Sequence, residues 1–305
     1  MKVNVYLSYY NGSKYFNEQI ESLLNQKGVD VHVFVRNDGS NEFESAYLDN
    51  FKNHDRITVI HGKNVGFGKS FMQLISEVDE KADFYAFCDQ DDVWLDNKLQ
   101  TACEKIKAQS GPVAYCSQPK YVDADLKQLD GFGTVTDSIR FGVMGVDEAL
   151  EYQLFGLGCT YVWNDALNEI LKKIDLKNFV FAHDNFLSVL TPFVGTFYRD
   201  DCQLLLYRQH GKNVSGSKNK NSSLLSRIQK KWKNFNGQAG FAMRKFIAEN
   251  AGCFIQPDKL NVLRMSVGYR ECVTLKLKLL KYMFFDNVGY KKKLKSLLMI
   301  VGNRY

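Results

Sequence analysis

The switching between two hydrophobic periods limits the folds open to this chain more than any other feature. Val3, Val5 and Leu7 alternate with polar or smaller positions, the period of a strand. Asn11-Gly12-Ser13 then supplies turn and cap residues, and Phe16, Ile20, Leu23 and Leu24 follow at helical spacing, which predicts a first helix ending near Gly28. Val31, Val33 and Val35 restart the period of two, broken by Asn37-Asp38-Gly39-Ser40. Ile57 to Ile60 reads as a third short strand, followed by Gly62, Gly66 and Gly68, and Phe71, Leu74, Ile75 and Val78 make a second helix. Phe84 to Cys88 is apolar throughout, as a strand buried on both faces must be, and it runs directly into Asp89-Gln90-Asp91-Asp92. Such alternation predicts an α/β fold, a mostly parallel sheet with helices on both faces. Further strands are expected at Val113 to Ser117, Thr160 to Trp163, Phe193 to Tyr198 and Leu204 to Tyr207, and no internal repeat is present.

In sheets of this kind ligands bind beyond the carboxyl ends of the strands. The turns after Leu7 and Val35 and the acidic run after Cys88 are therefore expected on one edge, building one site. If the strand stays extended past Cys88, Asp89 and Asp91 point the same way. Two close carboxylates repel, and a hard divalent cation relieves that repulsion while bridging a diphosphate. A solvated acidic turn is the plainer reading, weakened by the apolar strand before the run and by Val93-Trp94-Leu95 after it. Asp38 can accept from a base N–H or a ribose hydroxyl, or can simply be a turn residue. Gly66-Phe67-Gly68-Lys69-Ser70 offers close backbone approach and a Lys aimed at phosphate, or a plain helix start; its spacing is not that of a phosphate-binding P-loop. Asp184, in Ala182-His183-Asp184-Asn185, is a candidate general base or a helix N-cap. His210, in Tyr207-Arg208-Gln209-His210-Gly211, is a candidate ligand of metal or phosphate, or a structural donor.

Taken in order, Tyr10-Asn11-Gly12, Asp38-Gly39-Ser40, Asn64-x-Gly66, Asp89-Gln90-Asp91-Asp92-Val93-Trp94, Gly158-Cys159-Thr160, His183-Asp184 and Tyr207-Arg208-Gln209-His210-Gly211 resemble the family-2 glycosyltransferases. More narrowly, they resemble bacterial rhamnosyltransferases that build polysaccharide. The resemblance covers roughly the first 215 residues and implies the GT-A nucleotide-diphosphosugar-binding fold and an inverting reaction. It implies that Ser8 and Tyr10 line the nucleotide pocket, with Asp38 on the base and Asp89 on the ribose or donor sugar. It further implies that Asp91 is the principal ligand of a divalent cation (Mg²⁺ or Mn²⁺), that His210 assists the metal or diphosphate, and that Asp184 is the base. Two positions depart from the pattern: Asn37 stands where relatives usually carry Asp, and Ser70 where many carry Asn. The implied partners are a nucleotide-diphosphate sugar, with dTDP-rhamnose or a UDP-hexose as donor, and a glycan or lipid-linked acceptor.

The formal charge of +6 hides a division. Residues 211–305 hold 20 Lys and Arg against 4 Asp and Glu, a charge of +16, and the first 210 residues carry −10. A boundary is expected near Val214–Lys220, giving a catalytic domain over 1–215 and a basic helical region over 216–305. In the latter, Leu224, Leu225, Ile228, Trp232 and Phe235 share one helical face beside Arg227, Lys230, Lys231 and Lys233. Leu294, Leu297, Leu298 and Val301 repeat the pattern beside Lys291-Lys292-Lys293. Basic amphipathic helices suit an anionic membrane surface, or they pack on the catalytic domain with their Lys solvated. Residues 271–281 fit either a strand or a helix. An acidic body and the absence of any helix-turn-helix or zinc pattern argue against nucleic acid. The seven Cys include no Cys-x-x-Cys pair and read as buried thiols of a reducing compartment. With no signal peptide and no stretch of about 18 apolar residues, a cytoplasmic protein at the inner face of the membrane is expected.

Overall fold

The computed structural model describes residues 1–151, 154–210, 238–285 and 300–302. The alternation found in the sequence is realised as β1 (Lys2–Tyr9), α1 (Ser13–Leu24), β2 (Asp30–Asp38), α2 (Glu42–Asp49), β3 (Ile57–Gly62), α3 (Phe67–Glu77) and β4 (Phe84–Cys88). There follow β5 (Val93–Trp94), α4 (Lys98–Ile106), β6 (Val113–Val122), β7 (Gly142–Met144), α5 (Val146–Glu151), β8 (Tyr161–Asn164), α6 (Asp165–Leu171), α7 (His183–Val194) and β9 (Thr196–Arg208). Three further helices are α8 (Gln238–Asn250), α9 (Pro257–Gly268) and α10 (Val273–Phe285).

Among the described residues one nine-stranded sheet runs in the order β3-β2-β1-β4-β8-β6-β9-β5, with β7 also paired to β9. β3, β2, β1 and β4 are mutually parallel; β8 runs against β4 and β6, and β6 is parallel to β9. The sheet is thus mostly parallel, with β5, β7 and β8 reversed. Both faces are covered, and the period of two divides the strands between them. Val3, Val5, Leu7, Val33, Val35, Ala86 and Cys88 enter one core with α1 and α4. Tyr6, Phe34, Tyr85 and Phe87 enter the other with α3 and α7.

Two expectations need correction, and one left open is decided. α1 stops at Leu24, and Gly28 (φ +71°) instead forms the turn into β2. Phe193 belongs to α7 rather than to a strand, because the helix ends only at Gly195, where a side chain would strike the Pro112 carbonyl. That carbonyl accepts the Thr196 N–H at 3.0 Å and starts β9, which continues unbroken through Leu204–Tyr207. Residues 273–285 form a helix. Met243, Phe246, Ile247, Leu263, Leu279 and Met283 of the last three helices lie in the same core as Phe179 and Phe186.

The boundary near 215 and the basic faces around Trp232 and Lys291–Lys293 lie outside the described residues, although Val301 is described and exposed. No described helix is long and apolar enough to cross a membrane. Cys88, Cys103, Cys116 and Cys159 are buried free thiols, whereas Cys253 and Cys272 are exposed.

Candidate active site

The loops after β1, β2 and β4 meet at one sheet edge because parallel strands in register deliver their carboxyl ends together. Gln90 binds the loop after β1 twice: its Oε1 accepts the Tyr10 N–H at 2.8 Å and its Nε2 donates to the Tyr10 carbonyl at 3.2 Å. Asn11 N–H donates to Ser40 Oγ at 3.0 Å, and Asn41 N–H donates to Asn11 Oδ1 at 3.1 Å. A side chain at Gly12 would displace the Gln90 amide from its two bonds to Tyr10. Tyr10 itself stands half exposed at the mouth.

Behind this rim lies a buried polar chain. Ser8 Oγ donates to Ser70 Oγ at 2.7 Å, and Arg36 Nη1 reaches Ser70 Oγ at 3.2 Å and Asp38 Oδ1 at 2.5 Å. Asp38 also accepts the N–H groups of Val65 and Gly66, each at 3.0 Å. Three of its roughly four acceptor positions are therefore filled, which leaves one on Oδ2. Asp38 fixes the loop that opens α3, and the Gly66 N–H is consumed in doing so. Gly66 (φ +83°) caps α3 with open space where a side chain would project, so close approach of a ligand remains possible there. Lys69, half-buried in the first turn of α3, makes no hydrogen bond or ion pair among the described residues. Asn37 is held by Ser45, His61 and Ser40, so its amide serves the β2–α2 turn.

The acidic run departs from the extended geometry expected of it. β4 ends at Cys88 and residues 90–91 turn, so Asp89 and Asp92 converge with Cys159, their ligand atoms within 4.8 Å of one another. Asp91 still lies close enough that burial and its charge, with that of Asp184, push the Asp89 carboxyl up to about 7. Asp92 is fully buried; its Oδ1 accepts the Arg208 N–H at 3.1 Å, and Oδ2 has no partner among the described residues. Burial and the neighbouring carboxylates push its pKa well up.

The last strand closes the site. β9 delivers Arg208, whose Nε donates to the Asp91 carbonyl at 2.9 Å and whose Nη atoms hold Glu18 and the Ala124 carbonyl. His210 then meets Asp91, Nε2 to Oδ2 at 2.7 Å, with the Tyr15 ring 5.1 Å from its own. The structure thus brings Asp91 and His210 together. The carboxylate suits Mn²⁺ or Mg²⁺, and the imidazole favours Mn²⁺ over Mg²⁺, which prefers oxygen ligands. The Asp89–Asp92–Cys159 group fits a hard cation less well, because its third ligand is a soft sulfur, which Mg²⁺ and Mn²⁺ do not favour.

Asp184 is the second residue of α7, whose N-cap is Ala182, so it is not the cap. Its carboxylate accepts the Asn185 N–H at 2.7 Å, and burial raises its pKa to about 6. Beside it, His183 is 3% exposed among Phe71 and Phe87, with neither ring nitrogen partnered among the described residues. Burial lowers its pKa to about 3, so it stays neutral. Gly158 admits the ring, since a side chain there would collide with Nε2.

Sequence reasoning missed Asp92, Arg36, Lys98 and the role of Arg208. Lys98 is 1% exposed, its Nζ 3.5 Å from the centre of the Trp94 ring, and burial lowers its pKa to about 8. For Arg36 and Arg208 a signal existed: a guanidinium directly after Val33-Phe34-Val35 or Leu204–Tyr207 must be paired if the strand is buried.

Residues 5–131 match the model for Glycosyl transferase family 2. A dTDP-rhamnosyl transferase, RfbG, of Shigella flexneri is 29% identical over 220 residues, 68% of this chain and 73% of that protein. An uncharacterized glycosyltransferase of Nostoc sp. is 26% identical over 222 residues, 70% of this chain and 66% of that protein. Among solved structures, S. aureus TarS 1–349 in complex with UDP-GlcNAc matches with a TM-score of 0.57 at 14% identity, over 100% of this chain and 82% of that one. At that identity the likeness shows the shared GT-A-type fold alone. Family model, relatives and fold agree: residues 5–131 match a glycosyl transferase family 2 domain, and the chain is a glycosyltransferase.

Proposed function

We propose that the chain is an inverting, metal-dependent transferase that moves L-rhamnose from dTDP-rhamnose to a glycan or lipid-linked glycan acceptor in bacterial surface polysaccharide synthesis. The observation that carries this reading is the placement of Asp184, with its raised pKa, near Asp89, which also feels Asp91, at the edge where His210 contacts Asp91. Similarity to the Shigella flexneri dTDP-rhamnosyl transferase supports the choice of donor. A UDP-sugar donor is the second reading, favoured by the UDP-GlcNAc complex of TarS.

In this reading Ser8, Tyr10 and Asp38 frame the nucleoside, with Asp38 offering the base its remaining acceptor position. Lys69 and the open backbone at Gly66 face the diphosphate, and the start of α3 adds the positive end of a helix. Asp91 Oδ2 and His210 Nε2 are the atoms that would hold a divalent cation, which supplies positive charge to the leaving diphosphate. Asp89 orients the donor sugar. Asp184 takes the proton of the acceptor hydroxyl as its oxygen attacks the anomeric carbon from the face opposite the diphosphate. The new C–O bond forms as the bond to the diphosphate breaks, a single displacement with inversion that needs no enzyme nucleophile.

Thermal-shift titration of dTDP, UDP and GDP with Mn²⁺, Mg²⁺ or chelator tests the donor site. We expect metal-dependent stabilisation, greatest with dTDP, that disappears in Asp91→Ala. A UDP preference would change the sugar; a metal-dependent shift retained by Asp91→Ala would remove Asp91 as ligand. The basic C-terminal region is proposed to hold the enzyme at an anionic membrane surface, where a lipid-linked acceptor lies.

A further inference from the structure

β6 and β9 stay paired well past the body of the sheet, with register shifts around Gln118. Against this bulged stretch lies the segment that follows β6, tied on by the Leu129 N–H to the Tyr121 carbonyl at 3.0 Å. Between them is a groove of about 390 Å³ lined by residues 118–121, 128–132, 137, 141, 201 and 203. That volume falls within the range of roughly 300–1,000 Å³ seen for ligand sites. β6 is three strands from β1 along β1-β4-β8-β6, about 14 Å at the usual spacing, so the groove is separate from the Ser8–Asp38 pocket.

We propose that this groove binds the neutral sugar units of the acceptor. The inference rests on the transferase reading above and adds to it the place and chemistry of acceptor recognition.

Three features argue for that occupant. First, Tyr121, Phe132 and Phe141 all line the groove, and Phe132 and Phe141 are 39% and 49% exposed. An aromatic face is electron-rich and receives the C–H face of a pyranose, a use that pays for leaving such rings in water. Second, Asp130, Asp137 and Asp201 line the groove with Lys120, and even with the Arg199 guanidinium buried behind the wall the acids are in excess. This balance repels phosphate and selects a ligand without negative charge. The amides of Gln118 and Gln203 each carry donors and an acceptor, matching a hydroxyl that is both. Third, the wall is pre-organised by Arg199, which is wholly buried. Its Nη2 donates to Gln118 Oε1 at 3.2 Å and to the Thr136 carbonyl at 2.9 Å, and its guanidinium lies 4.8 Å from the Phe141 ring centre. Its Nη1 has no partner among the described residues.

The groove is joined to the reacting groups from two sides. Arg199 Nε donates to the Phe155 carbonyl at 3.0 Å, while the Phe155 N–H donates to Ser188 Oγ, one turn beyond Asp184 on α7, at 2.9 Å. Just past the end of β6, the Ala124 carbonyl is held by Arg208, whose N–H holds Asp92. A glycan lying along β6 therefore has its end directed toward the edge that carries Asp184 and Asp91.

The test is saturation-transfer NMR and calorimetry on the full chain with neutral tetrasaccharides of rhamnose, glucose and N-acetylglucosamine, and with a sulfated tetrasaccharide. We expect a neutral tetrasaccharide to bind, with affinity reduced at least tenfold in Phe132→Ala/Phe141→Ala and in Gln203→Ala. Affinity for dTDP with Mn²⁺ should stay within twofold in both variants. Failure of every neutral tetrasaccharide to bind, equal binding by the variants, or preference for the sulfated sugar would overturn the groove. Failure of wild type to bind any nucleotide, with tetrasaccharide binding intact, would instead overturn the donor reading.

Discussion

Asp184 combines two properties a base for sugar transfer needs: it is ionised near neutrality, and burial has raised its proton affinity to a pKa of about 6. Asp184→Asn keeps the shape and removes the basicity, so kcat should fall by about 10²–10⁴ while dTDP affinity stays within twofold. Wild-type kcat should also fall as the pH drops through about 6, because protonation removes the active form, with close to tenfold loss per further unit. A rate flat between pH 5 and 7 would remove Asp184 from the role. At this scale the sequence was legible where chemistry sits in short motifs: Asp91 and His210 stand out as metal-ligand types within polar runs, and the fold brings them within 2.7 Å of each other. Asp92 and Lys98 do not, because what singles them out is burial, and that burial depends on a strand more than a hundred residues away and on a helix packed beneath it.

Single elements show where periodicity carries information and where it stops. β1, β2 and β4 were readable because each sends alternate residues into different cores, and a one-residue slip would exchange the two faces. The end of α7 was not, since Phe193-Val194-Gly195-Thr196-Phe197 is equally apolar as helix or strand; contact with the Pro112 carbonyl decides it. Residues 271–281 were ambiguous for a related reason, their apolar and Lys alternation fitting both periods, and packing of Leu279 and Met283 into the core selects the helix. The same core gives α8 a measurable share of stability. Phe246 is 7% exposed and meets Phe179, Phe181 and Phe186 edge to face, with centroids 5.3–5.9 Å apart. Phe246→Ala should cost about 3–5 kcal/mol in urea unfolding of the full chain. A loss below about 1 kcal/mol, or a separate transition, would mean that α8 is only loosely coupled to the sheet.

Across the whole molecule, charge is as unevenly distributed as the sequence indicated, with the sheet acidic and the last third of the chain basic. If that asymmetry serves a membrane surface, replacing Lys291, Lys292 and Lys293 by Gln should weaken sedimentation with phosphatidylserine vesicles, each lost cation being worth about 1 kcal/mol near the surface. Unchanged sedimentation would assign those residues to solvation alone. The helices that carry part of this charge have a second consequence, one that concerns synthesis. The face formed by Phe179 and Phe186 is finished with side chains that lie between Met243 and Met283, far downstream of the α7 face they cover. A ribosome that has released only the sheet has therefore exposed a patch of aromatic rings with nothing yet made to shield it, and the growing chain depends on chaperones or on speed until those helices emerge.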